Sequence, residues 1–302
     1  MEFIMFTSNF NSARVAKFGS GSTILRAARD TFLEEGQIAS ACPSIFASEA
    51  HGSRSEKYTY IPTIDVLRGL QREGFQPVEV RQGGSRDEEK RGFTKHLIRM
   101  RHTGSVGLVG GDSVRELVLL NAHDGTSSYQ LMSGLFRMIC TNGLITCEGG
   151  EMQRIAHKGD IINNVIEGAF TITENGKDIG ERVDYMRGVT LEQGEGEAFA
   201  KAALALRYTA KDAETGEVKA APVEPSQILR VRREADAGSD LWRTFNRVQE
   251  HLVQGGQGYT HRAANGRRSR RETRPVNSID GNVNLNKALW VLAQEMGKLK
   301  AA

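Results

Sequence analysis

The chain has 302 residues, 39% of them hydrophobic, which is enough for one large domain or two ordinary ones with packed cores. No apolar run approaches the ~20 residues that span a bilayer. The start, MEFIMFTSNFNSARVAKFG, lacks the apolar stretch and cleavage pattern of a secretory leader, so a cytoplasmic protein with no membrane contact is expected. A net charge of +3 does not by itself demand a polyanionic partner, so the placement of charge has to be read instead.

Residues 1–40 read as an N-terminal extension. Their Gly19-Ser20-Gly21-Ser22 run has no buried strand before it and no Gly-Lys-Ser/Thr after it, which favours a turn over a phosphate loop. Residues 41–150 read as an α+β core. Its first helix has Thr63 as N-cap, Val66, Leu67 and Leu70 at core spacing, and Gly74 as a stop. Val78 and Val80 alternate with Glu79 and Arg81 in a strand; QGGSRDEEKRG is a polar hairpin loop, and Phe93 to His102 is the return strand. With side chains alternating at period two, Lys95, Leu97, Arg99 and Arg101 share one face of it. The Gly-rich HTGSVGLVGGDS then leads to a strand from Arg115 to Asn121, whose continuous apolar run suits burial on both faces.

After an Asp124-Gly125 turn, Ser127 or Ser128 caps an expected helix holding Leu131, Met132, Leu135, Phe136, Met138 and Ile139, stopped at Asn142-Gly143. Being apolar nearly all round, it reads as buried. Residues 151–302 read as helical: one helix from Asp160 breaking at Asn175-Gly176, one around Ala198 to Tyr208, one from Asp240 to Val253 and one from Ser278 to Lys300. A linker falls near 209–226 and a mobile arginine-rich loop near 255–275. The expected fold class is therefore α+β, with a three-stranded antiparallel sheet backed by a buried helix and followed by a mostly helical C-terminal half.

Two basic features stand out. Arg81, Lys95, Arg99 and Arg101 on the strands would track a phosphate backbone or form the solvated face of a half-exposed sheet. Arg267, Arg268, Arg270, Arg271 and Arg274 sit among Gly, Asn and Ser, with Tyr259 and His261 upstream. That mix offers charge for phosphates and flat rings for bases, and is the stronger signal; the bland alternative is a solvated charge run. Catalytic and metal signals are missing. Cys42, Cys140 and Cys147 lack ligand spacing and read as small buried thiols. His96, His102, His123, His157, His251 and His261 form no pair at helical ligand spacing, and Asp112, Asp124 and Asp160 adjoin glycines as turn residues do. No cofactor is expected.

The segments Pro43-Ser44-Ile45-Phe46-Ala47, SRSEKYTYIPT from Ser53 to Thr63, Arg91-Gly92-Phe93-Thr94-Lys95-His96, LLNAHDG from Leu119 to Gly125, and Thr141-Asn142-Gly143-Leu144 resemble a bacterial family carried on plasmids and prophages, catalogued as domain of unknown function 932. The likeness continues through Trp242, Asn246, Gln249-Glu250 and the final helix to Leu292. The order of elements from Thr63 to Gly143 also resembles the core of eukaryotic single-strand-annealing ring proteins. That second resemblance implies a basic groove holding the DNA backbone, with Arg81, Lys95, Arg99 and Arg101 as its candidates. The leading expectation is a non-catalytic protein of mobile elements that binds single-stranded DNA and promotes its annealing, self-associating as a ring or other homo-oligomer. The alternatives are a decoy or inhibitor of a host defence protein, and third a metal-dependent nuclease.

Overall fold

The computed structural model describes residues 13–18, 22–28, 30–49, 51–52, 60–104, 113–137, 143–146, 152–155, 160–175, 178–209, 220–263 and 265–301. Gly19 to Gly21, Asp112, Met138 to Asn142, Cys147, His157 and most of the expected linker lie outside them. The chain divides into two compact units, 1–177 and 178–302.

The first unit is α+β, and its sheet is larger than the expected three strands. Strands β1 (Arg14–Phe18), β2 (Ser22–Arg26), β3 (Phe75–Gln82), β4 (His96–His102), β5 (Ser113–Asn121), β6 (Tyr129–Arg137) and β7 (Gly143–Thr146) lie side by side in chain order, and β8 (Gln153–Ile155) also pairs with β6. Every pairing is antiparallel. The expected buried helix through Leu131 and Phe136 is therefore corrected: this segment is β6, in register with β5 from Ser113↔Arg137 to Leu120↔Gln130. Both faces of β5 and β6 are buried, so neither strand shows the alternation that separates strand from helix. The expectation for β5 itself agrees with this.

Helices α1 (Glu35–Ala41), α2 (Thr63–Arg72) and α3 (Ile161–Asn175) supply the rest of the core. Val66, Leu67 and Leu70 are fully buried and join Val80, Ile98, Met100, Leu119, Leu131, Val165 and Ala169 in one apolar cluster. Thr63 does not cap α2: Pro62 holds that position, and the Thr63 hydroxyl turns inward. It contacts His96 Nε2 at 2.9 Å and His123 Nε2 at 3.0 Å, and accepts from Asn121 Nδ2 at 3.1 Å.

Hydrogen-bond capacity orders the protons here. Ser44 Oγ donates to Gln82 Oε1, so it can only accept from His96 Nδ1–H, whose other neighbour is the Thr94 carbonyl. His96 Nε2 is then an acceptor and takes the single Thr63 proton, which obliges His123 Nε2 to be the N–H that donates to Thr63. Burial, with His123 adding to it, pushes His96 down to about 3, in keeping with the neutral ring that this chain requires. Ser44, Thr63, His96, Asn121 and His123 are all wholly buried, so the cluster ties α2 to the sheet instead of facing a substrate.

The second unit contains α4 (Ile179–Gly188), α5 (Gln193–Tyr208), the single-turn α6 (Pro225–Ile228), α7 (Leu241–Gln254), strands β9 (Gly258–Arg262) and β10 (Arg268–Glu272), and α8 (Ile279–Ala301). Of the four helices expected from the sequence, the first is met by α3 in the first unit and followed by the separate α4, and the other three are met by α5, α7 and α8. Phe199, Phe245, Leu252, Leu289 and Trp290 are buried between the helices, and Phe245 meets Trp290 edge-on. Gln249 Nε2 donates to Asn286 Oδ1 at 2.6 Å, joining α7 to α8 inside that core. No helix among the described residues is long and apolar enough to cross a membrane.

Candidate nucleic-acid interface

The two basic features of the sequence have different fates. Arg81, Arg99 and Arg101 do share a sheet face, but with Glu79 and Glu116, both of whose side chains are wholly buried. Arg99 reaches Glu79 Oε2 and Glu116 Oε2 at 2.7 Å each, Arg81 reaches Glu79 Oε1 at 2.6 Å, and Arg101 reaches Glu116 Oε1 at 2.9 Å. Arg26 on β2 also pairs with Glu79. The guanidinium carbon of Arg99 lies over the Phe136 ring, 3.4 Å from its centroid. The side chain of Arg99 keeps only 10% of its exposure.

Burial alone would raise the Glu79 carboxyl, but Arg26, Arg81 and Arg99 outweigh it and hold it far below the usual carboxylate range. Burial likewise opposes the charge on Arg99, and Glu116 and Glu79 more than offset it. This is an internal ion-pair ladder across β2 to β5, neither the phosphate-tracking nor the solvated basic face that the strands suggested, nor the basic groove that the resemblance to annealing proteins implied. Lys95, half-buried just before β4, gives its carbonyl to Gly83. The signal that reading missed was the pair of glutamates set among those arginines, Glu79 two residues before Arg81 and Glu116 beside Arg115.

The arginine-rich segment is not a loop but an antiparallel hairpin, β9 and β10, in register from Arg268↔Arg262 to Glu272↔Gly258. Its base is anchored by buried polar groups. Gly255 leaves α7 at φ +66°, a conformation that favours glycine, and a Cβ there would overlap the Thr273 carbonyl. Gly256 N–H donates to Thr273 O, Thr273 N–H to Gln257 O, and Gln257 N–H to Thr273 Oγ1 at 2.8–3.0 Å. The Gln257 amide donates to His251 Nδ1 at 2.8 Å, so Nε2 carries the proton and donates to the Arg230 carbonyl at 2.9 Å. Burial first, then Arg232, Arg230 and Arg247, lower the His251 pKa, which keeps that ring neutral.

From this base the ribbon runs into solvent. Every residue of β10 is exposed, as are Arg262, Arg267 and Arg274. Arg262, Arg268 and Arg270 share one face, while Tyr259, His261 and Arg271 share the other. Arg262 faces Arg268 directly, a like-charge pair that destabilises a hairpin unless an anion lies between the two. None of Arg262, Arg267, Arg268, Arg270, Arg271 and Arg274 has an ion-pair partner among the described residues. The sequence reading named five of them and left out Arg262, whose place opposite Arg268 only the strand register reveals. Among the described residues no three His, Cys, Asp or Glu side chains come together as a metal-binding group.

Comparison with known proteins places the chain without assigning it an activity. It is 44% identical to UPF0380 protein YafZ of Escherichia coli (strain K12) over 281 residues, covering 93% of this chain and 96% of that protein. It is 43% identical to UPF0380 protein YfjQ of the same organism, with the same coverage. No solved structure matches. The family model described as domain of unknown function (DUF932) matches residues 50–290, in accord with the resemblance that the sequence motifs carry, and the chain belongs to that family.

Proposed function

We propose that the protein binds nucleic acid through the β9–β10 hairpin. One observation carries this reading: an ordered, exposed ribbon holds six arginines against the single Glu272, and none of the six is neutralised within the described residues. Such a surface gains free energy by releasing condensed counterions from a phosphate backbone, and the Arg262–Arg268 opposition is relieved by an anion placed between them. The annealing expectation drew on the order helix, strand, strand, strand, buried helix, on the basic strand face and on the arginine loop; the last of those elements is instead the strand β6, and Arg81, Arg99 and Arg101 of the strand face are paired with Glu79 and Glu116. The proposal is accordingly contact with single strands, with annealing activity a separate question for assay. A decoy that binds a host defence protein would use the same exposed ribbon against an acidic protein surface, and it predicts no preference for nucleic acid.

The test is fluorescence anisotropy of a labelled single-stranded oligonucleotide over a salt series. Replacing Arg267, Arg268, Arg270 and Arg271 by alanine removes up to four phosphate contacts, so the slope of log affinity against log salt flattens by up to about 3. Equal affinity and an unchanged slope would exclude the hairpin as the contact and favour the decoy reading.

A further inference from the structure

Beside the hairpin base lies an open cleft of about 700 Å³, within the size range of small-ligand sites. Its lining joins the end of α5 to the ribbon: Arg207 and Tyr208 from the helix, Tyr259 from β9, and Arg271 and Arg274 from β10 and just beyond, with Glu272 the one carboxylate. Tyr259 and Arg271 stand directly opposite each other in the ribbon. Tyr208 is half-buried, and Arg207 lies 5.2 Å from that ring's centroid. Arg207 Nη2 donates to the Arg274 carbonyl at 3.4 Å, while its Nε is buried with no partner among the described residues. A second cleft of about 480 Å³ shares Arg207 and continues toward the start of α8.

Two tyrosines with three arginines make a recess that suits a flat ring flanked by phosphate. Aromatic faces stack on any base, and guanidinium groups bind the adjoining backbone. A paired base has both faces stacked on its neighbours in the duplex and cannot enter such a recess. The geometry points to a subsite for one unpaired nucleobase and its flanking phosphate, held by Tyr259, Tyr208, Arg207 and Arg271. This rests on the reading of the hairpin as a nucleic-acid contact and adds the single-strand preference that the hairpin alone does not explain.

The full chain is titrated at fixed salt with a labelled oligonucleotide, an abasic strand of equal length and the duplex. Base stacking contributes roughly 5- to 150-fold per base in affinity, so the wild type binds the normal strand more tightly than the abasic one by that order. Tyr259→Ala brings the two affinities together without changing abasic binding, and Tyr259→Phe restores the difference; thermal melting confirms that both variants are folded. Equal, salt-dependent binding of normal and abasic strands by the wild type would overturn the subsite and leave the hairpin contact standing. Binding to none of the three would overturn the hairpin reading, and the subsite with it. Displacement of the strand by an equal concentration of nucleoside monophosphate would identify a free nucleotide as the occupant of the same cleft, whereas displacement only by an unlabelled strand identifies the strand.

Discussion

Arg99 carries two glutamates and an aromatic ring at once, and its truncation separates a structural charge from a binding one. Arg99→Ala leaves Glu79 and Glu116 buried with one guanidinium fewer, and breaking a buried pair in this way costs about 3–5 kcal/mol. A surface arginine would shift stability by less than about 0.5 kcal/mol, so a urea midpoint that barely moves would contradict the ladder. The same ladder sets an acid limit. The folded carboxyl of Glu79 lies below its ordinary value of 4.5, so its contribution is present above pH 4.5 and is lost as pH falls below it.

His96 adds a second acid window with its own sign. Its folded value of about 3 lies below the ordinary 6.5, so the unfolded chain takes up the proton first. Stability is complete above about pH 6.5 and falls on acidification toward pH 3, by up to about 1.4 kcal/mol per pH unit from this ring. Denaturant midpoints followed from pH 7 to 5 should fall more steeply in the wild type than in His96→Gln, which keeps only the contribution of groups such as His251 whose pKa is also lowered. An identical slope in the two proteins would place the titration elsewhere. The motif segments of the sequence contain Ser44, Thr63, His96, Asn121 and His123, but nothing in them showed that these side chains meet, because the contacting pairs lie 33 to 60 positions apart.

At the level of elements, β6 is where local preference and tertiary context disagree. Leu131, Met132, Leu135 and Phe136 are good helix formers or tolerate helix, and with both faces buried the run carries no period-two signal. The pairing with β5 decides the outcome. A local clue was Gly134, a poor residue for a helix interior. In the strand it lies beneath Phe136, where an added Cβ would overlap the ring that covers Arg99. Gly134→Ala is therefore expected to lower the melting temperature by displacing Phe136, although alanine favours order in a helix. An unchanged or raised melting temperature would contradict the strand packing. The elements with a clear period, α2, α5, α7 and α8, were legible because each turns one apolar stripe inward over several turns.

On the scale of the molecule, a net charge of +3 conceals two opposite uses of arginine. Arginines on β2 to β4 are spent inside the first unit against Glu79 and Glu116, while those of the β9–β10 hairpin stand in solvent with no ion-pair partner among the described residues. Composition revealed the second cluster, because six arginines with one acid in a short segment cannot neutralise themselves. It could not reveal that the segment is a ribbon, since GRRSRRET has neither apolar alternation nor strong β-propensity, and its order comes from the anchored base at Gly255, Gln257 and Thr273.

The central claim, that the hairpin and not the strand face meets nucleic acid, is tested most directly by arginine footprinting. The full chain is treated with an arginine-specific dicarbonyl reagent, with and without saturating single-stranded oligonucleotide, and modified sites are read by mass spectrometry. The account predicts that Arg267, Arg268, Arg270 and Arg271 react in the free protein and are protected in the complex, while Arg99 is unreactive in both. Hairpin arginines that react equally in the presence of bound oligonucleotide, or protection that appears instead on a reactive Arg81 and Arg101, would contradict it.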